Sequence, residues 1–69
     1  MKNRIFENAN GKNYLIVKQQ GLKALLIEIN GYDVVVTNQL LEDQNCWNHG
    51  TYYFSIDEGL ADFNNRIGG

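Results

Sequence analysis

A thiol and an imidazole lie three residues apart in the segment Cys46-Trp47-Asn48-His49. An imidazole beside a cysteine can lower the thiol pKa and activate it for nucleophilic attack, and the two groups can also share a metal ion. The chain has no second cysteine or histidine to complete a metal site. Residues three apart on a strand also face opposite sides of a sheet. We therefore predict no catalytic residue, metal or cofactor, and interpret Cys46 as a small buried residue and His49 as a polar strand-end residue.

Paired carboxylates, a second source of chemistry, occur at Glu42-Asp43 and Asp57-Glu58. The second pair belongs to a helix start described below, and the first is interpreted as an exposed acidic loop. No glycine-rich phosphate loop is present, because each glycine before Gly50 belongs to a predicted hairpin. These carboxylates therefore give no reason to predict an enzyme.

The aromatic segment that contains Trp47 and Phe54 is flanked by these acidic pairs. Residues 1–31 carry five basic and two acidic residues, a net charge of +3, whereas residues 32–69 carry one basic and six acidic residues, a net charge of −5. Nucleic-acid binders combine stacking aromatics with a basic groove, and here the aromatics lie in the acidic half. A nucleic-acid-binding module that uses the basic N-terminal hairpins is kept as the alternative function. Its basic residues would be Lys2, Arg4, Lys12, Lys18 and Lys23.

The chain of 69 residues is long enough for one small domain, predicted to span residues 1–69. Small domains of this size are often stabilised by disulfides or metals, but a single cysteine cannot form an internal disulfide. Oligomerisation or partner binding is the remaining way to bury more surface. No apolar run resembles a signal peptide or a membrane span, so we expect a cytoplasmic protein that does not bind membranes.

Three turn signals recur every ten residues, at Asn10-Gly11, Gln20-Gly21 and Asn30-Gly31. Asn-Gly favours the type I′ turn of β-hairpins, in which both central residues have positive φ. The signals predict four strands, followed by a polar loop or single helical turn over residues 38–45 and a fifth strand. Glycine in that fifth strand, at Gly50, indicates a bulge or a close backbone approach. The predicted strands are Ile5–Glu7, Lys12–Lys18, Leu22–Ile29, Tyr32–Thr37 and Trp47–Phe54.

The C-terminal segment begins with the capping box Ser55-Ile56-Asp57-Glu58. In this motif the Ser55 hydroxyl accepts from the Glu58 amide and the Glu58 side chain returns to the Ser55 amide. An apolar stripe at helical spacing follows, and Gly59 indicates that the helix backbone approaches the sheet closely. The stripe consists of Ile56, Leu60, Phe63 and Ile67. The predicted fold is α+β: a five-stranded antiparallel β-meander with one C-terminal helix packed on one face.

Both faces of the predicted sheet are apolar, although a sheet with one solvated face normally alternates apolar and polar residues. Either the sheet curls around a single core, or another subunit covers the second face. The predicted partner-binding face consists of Tyr14, Ile16, Ala24 and Leu26, so that Leu26→Lys would spare folding and abolish association. The predicted core consists of Val17, Leu25, Ile27, Phe54, Leu60 and Phe63.

The C-terminal quarter has the pattern Trp47-x-x-Gly50-x-Tyr52-Tyr53, followed by apolar positions on the helix. This pattern resembles the C-terminal hairpin and helix of short uncharacterised proteins carried by prophages and conjugative elements of Gram-positive bacteria. The chain has Gly59 where those helices would have alanine. The resemblance implies a small accessory protein of a mobile element and carries over no catalytic residue.

These features together predict a non-enzymatic, cytoplasmic protein-interaction module that acts as a homodimer or with a protein partner.

Overall fold

The computed structural model describes residues 4–68 and has a five-stranded antiparallel sheet with one C-terminal helix packed against it. The predicted fold is therefore confirmed. The elements are β1 (Arg4–Glu7), β2 (Asn13–Gln20), β3 (Lys23–Glu28), β4 (Val34–Thr37), β5 (Gln39–Leu41), β6 (Cys46–Asn48), β7 (Thr51–Tyr53) and α1 (Ile56–Gly68). The sheet has the spatial order β1-β2-β3-β4-β7, and strands β5 and β6 pair with each other in a separate hairpin.

The first two hairpins and the β3–β4 connection lie where the turn signals predicted them, but the type I′ geometry was wrong. In each turn only one of the two signal residues has positive φ: Gly11 at 86°, Gly21 at 62° and Asn30 at 63°. In the first turn the Gly11 amide donates to the Asn8 carbonyl, and the Asn8 amide donates to the Lys12 carbonyl, both at 2.8 Å. This is the pattern of a type I turn followed by a bulge at a left-handed glycine.

Helix α1 covers one face of the sheet over β3, β4 and β7. Leu25 and Phe63 are buried there, with Val17, Ile27 and Leu60 packed against them, as predicted. A Cβ added at Gly59 would lie 2.6 Å from Val34 Cγ1, which confirms the close approach of the helix to the sheet. Within residues 4–68, no helix combines the length and hydrophobicity needed to cross a bilayer.

The predicted fifth strand is two strands that belong to different sheets. Cys46–Asn48 pairs with Gln39–Leu41, whereas Thr51–Tyr53 pairs with β4. The chain changes direction between them at His49, which has φ of 60°. Residues 42–44 form the single helical turn that was one of the two alternatives for this loop. The strands on either side of that turn were not predicted.

The β5–β6 hairpin covers the second face of the sheet, because Leu40 and Trp47 point down onto it. Tyr14, Ile16, Ala24 and Leu26, the predicted partner-binding face, are buried beneath this hairpin. The prediction that the face is left open was therefore wrong, and the chain covers it without a second subunit. A further correction concerns Phe54, which was predicted to be core and is exposed.

We now expect Leu26→Lys to unfold the protein, which reverses the outcome predicted from sequence. Leu26 is fully buried, and an unpaired buried ammonium costs about 3 kcal/mol or more, a large share of the stability of so small a domain. Urea unfolding followed by circular dichroism checks this. Leu22→Lys, at an exposed leucine in the β2–β3 turn, is the matched control and keeps near-native stability. A folded Leu26→Lys variant would contradict the described core.

Candidate functional site

Two large aromatic side chains are almost fully exposed at one end of the sheet. Tyr32 is 87% exposed and Phe54 is 88% exposed. Val34 at the start of β4 faces Tyr53 at the end of β7, so Tyr32 and Phe54 leave the sheet at the same end. Helix α1 also starts there, at Ile56. Both aromatic side chains are thus exposed at the end of the sheet where the helix begins.

Acidic residues lie at the same end of the sheet, close in the chain to Tyr32 and Phe54. Asp33 lies next to Tyr32 in the chain, and Asp57 and Glu58 occupy the first turn of α1. We call the surface formed by Tyr32, Asp33, Phe54, Asp57 and Glu58 the acidic aromatic end. The local fold positions it through two contacts: the Glu28 amide donates to the Asp33 carbonyl at 2.9 Å, and Ser55 caps the helix.

The cap differs from the predicted capping box in its donor. The Ser55 hydroxyl accepts from the Asp57 amide at 3.2 Å, and not from the Glu58 amide. No hydrogen bond of the Glu58 side chain is found among residues 4–68, so Glu58 is free to contribute charge to the surface. The predicted helix start at Ile56 is confirmed.

Three of the four described basic residues in the first half make contacts within the chain. Arg4 pairs with Glu42 at 2.6 Å, and Lys12 pairs with Glu28 at 3.8 Å. Lys23 donates to the Arg66 carbonyl near the C-terminus of α1 at 2.7 Å. Lys18 is exposed, and Lys2 lies outside the described residues. Most of the predicted basic patch is therefore engaged in contacts within the chain.

Cys46 and His49 are not joined by a hydrogen bond in the part of the chain that the structure describes. Cys46 is half-buried in β6, on the side of the strand opposite Trp47, and His49 is exposed in the following turn. His49 contributes its backbone carbonyl to Arg66. Within residues 4–68, no three His, Cys, Asp or Glu side chains are grouped so that they could hold a metal ion.

Arg66 lies at the centre of a polar cluster that sequence analysis missed. Its guanidinium makes two hydrogen bonds to Asp62, at 2.9 and 3.0 Å. It also donates to the Thr51 hydroxyl at 2.8 Å and to the His49 carbonyl at 3.0 Å. Further hydrogen bonds reach the Val36 carbonyl and the Asn38 side chain, both at 3.2 Å. The only sequence signal was an arginine four residues after an aspartate, which is also typical of an exposed helix.

The Tyr53 hydroxyl completes this cluster by donating to Asp62 at 2.8 Å. Burial on its own would raise the pKa of Asp62, but the hydrogen bonds from Arg66 and Tyr53 outweigh burial and lower that pKa. The same hydrogen bond to Asp62 raises the pKa of Tyr53. Every donor position of the guanidinium is occupied within the chain, so the cluster ties α1 to the sheet and offers no free ligand position.

Comparisons with protein-family models, with curated proteins and with solved structures find no match for this chain. The resemblance to accessory proteins of mobile elements therefore stays a prediction.

We expect Asp62→Asn to destabilise the fold at neutral pH by about 1–3 kcal/mol, because it leaves the half-buried Arg66 without its carboxylate. A lowered pKa in the folded state stabilises the protein above the ordinary pKa of aspartate, near 4, and that contribution is lost as the pH falls through the lowered pKa. The difference between wild type and Asp62→Asn should therefore shrink as the pH falls below the ordinary pKa of aspartate. Urea unfolding at several pH values measures this, with Asp43→Asn in the exposed loop as the control. A pH-independent difference would contradict the ionised pair.

Proposed function

We propose that this chain is a non-enzymatic protein-interaction module that binds a cationic segment of a protein partner at the acidic aromatic end. One observation carries the proposal: Tyr32 and Phe54 are both almost fully exposed at the same end of the sheet. Partner binding at the face of Tyr14, Ile16, Ala24 and Leu26 has no support, because these residues are buried.

The exposed phenylalanine has no role in the fold itself. Burying a phenylalanine side chain stabilises a protein by about 2 kcal/mol, which Phe54 forgoes in the isolated chain. Aromatic residues are enriched at the centres of protein–protein interfaces, where a pocket of the partner removes them from water. Tyr52 on β7 is half-exposed and lies against Trp47 of the β5–β6 hairpin. It extends the apolar surface towards that hairpin. This surface gives a partner several rings to cover.

The charge around the rings selects the chemistry of the partner. Asp33, Asp57 and Glu58 lie at the same end of the sheet as the rings, while Lys12 is paired with Glu28. Lysine and arginine side chains are attracted both to carboxylates and to the faces of aromatic rings. A segment in which basic residues alternate with apolar ones would satisfy both features. Phosphates would be repelled, which makes a nucleic acid the wrong ligand for this surface.

The nucleic-acid alternative depends on the basic hairpins, and three of their described residues are engaged. Arg4 and Lys12 form ion pairs, and Lys23 binds the end of α1. No observation among residues 4–68 favours the alternative over protein binding. A cytoplasmic location and an accessory role in a mobile element belong to the proposal, supported by the sequence composition and by the resemblance of residues 47–63 alone.

The double variant Tyr32→Ser/Phe54→Ser should lose binding to a short synthetic peptide of alternating lysine and leucine. The peptide is added to isotope-labelled protein, and the changes in backbone amide chemical shifts are followed by NMR. In the wild type we expect shifts confined to residues 30–34 and 53–58. We expect them to be abolished in the double variant, which keeps its fold because both side chains are exposed.

Two controls make this measurement specific. Leu22→Ser removes an exposed apolar side chain at the opposite end of the sheet and should leave peptide binding unchanged. A matched peptide of alternating glutamate and leucine should not bind. Shifts at the β2–β3 turn instead of the acidic aromatic end, or equal binding by the double variant, would refute the proposed surface.

A further inference from the structure

Strand β1 forms a free edge of the sheet. In the first hairpin Asn8 and Lys12 form a hydrogen-bonded pair, and such pairs alternate along an antiparallel ladder. Phe6 therefore exchanges hydrogen bonds with Tyr14, and Arg4 with Ile16. The amides and carbonyls of Ile5 and Glu7 point away from the sheet, and no backbone hydrogen bond reaches them among the described residues.

A row of apolar residues crosses three strands on the face that the helix covers and ends at this edge. The row consists of Ile27, Leu15 and Ile5. Ile5 faces Leu15, and Leu15 faces Ile27 on the next strand. Helix α1 packs over β3, β4 and β7, and it leaves the part of the row on β1 uncovered. Ile5 is 67% exposed as a result. Unpaired edge groups beside an exposed apolar side chain form a template for another strand.

We propose that this edge binds a second copy of the chain, with the two β1 strands antiparallel and Ile5 facing Ile5 of the second copy. A twofold axis perpendicular to the sheet keeps the paired residues of the two copies on the same face of the joined sheet. The outward groups can then pair Ile5 with Ile5, Ile5 with Glu7, or Glu7 with Glu7. The first register continues the apolar row across the joint, the second places a carboxylate against Ile5, and the third places two carboxylates against each other. The resulting sheet has ten strands and two edges fewer than the separate copies.

Charge complementarity identifies the second copy as the occupant. The strands run between two ends of opposite charge. Antiparallel pairing places the basic end of each copy beside the acidic end of the other, which is attractive in this direction only. The acidic end holds Glu7, Glu28, Asp33, Asp57 and Glu58 with Lys12. The basic end holds Arg4, Lys18, Lys23 and Arg66 with Asp62 and with Glu42 and Asp43 of the turn beside Arg4.

Ile5→Lys should convert the dimer to a monomer. Like charges would then face each other across the axis, and association should weaken by at least about tenfold. Sedimentation equilibrium over a concentration series should give twice the chain mass of 7.9 kDa for the wild type and the single mass for Ile5→Lys. Leu22→Lys, at an exposed leucine away from β1, should stay dimeric. A wild type that is monomeric at millimolar concentration would refute the proposal.

Cysteine trapping tests the register in a Cys46→Ser background. Facing residues in a hydrogen-bonded pair have Cα atoms about 5.5 Å apart, within the range that a disulfide spans. Ile5→Cys should therefore form a disulfide-linked dimer under mild oxidation. In the same register the two Glu7 positions are about 13 Å apart, so Glu7→Cys should not. Equal or faster crosslinking of Glu7→Cys would refute this register. The crosslink reports on β1 itself, because the residues of the acidic aromatic end contribute charge to the pairing but do not lie on β1.

Discussion

Trp47 packs edge-on against Tyr14, with ring centroids 5.1 Å apart, and this contact fastens the β5–β6 hairpin over the sheet. Phe6 lies 5.8 Å from the same indole on the outermost strand. The ring approaches the backbone of Gly50 so closely that a Cβ there would lie 2.6 Å from Trp47 Nε1. Of the two alternatives for Gly50, a bulge or a close backbone approach, the structure shows the close approach. The turn after β6, the burial of Tyr14 and the cover of the second face all depend on where this indole lies.

Arg66 performs the equivalent task on the helix side. Its guanidinium binds the carbonyls of Val36 and His49, so the end of α1 is joined both to β4 and to the turn that follows the hairpin. The two covering layers are therefore coupled through the hydrogen bond that Arg66 of the helix donates to the His49 carbonyl after the hairpin. In a domain that buries only about 60% of the surface of its unfolded chain, such coupling makes folding cooperative.

The sequence predicts most of the sheet and the helix because these parts have local signals. Hairpin signals at ten-residue spacing, the Ser55 cap and the glycine at position 59 each act over a few residues. The β5–β6 hairpin has no comparable signal. Leu40 and Leu41 lie in a polar stretch, and their pairing with Trp47 and Cys46 becomes visible only when the sheet below is known. Phe54 was predicted as core for the same reason, since alternation along one long strand cannot reveal the change of direction at His49.

The sheet keeps exposed surfaces because the helix and the hairpin have too few residues to cover both of its faces completely. A helix of 13 residues covers three of the five strands, and a hairpin of two three-residue strands covers the opposite face. The row that ends at Ile5 and the rings of Tyr32 and Phe54 lie beyond the reach of both elements. One surface lies along a strand and has unpaired backbone groups, which suit another strand. The other lies at the strand ends among carboxylates, which suit a cationic side chain. Because Tyr32 and Phe54 do not lie on β1, a dimer formed as proposed at that strand would still expose both rings in each copy.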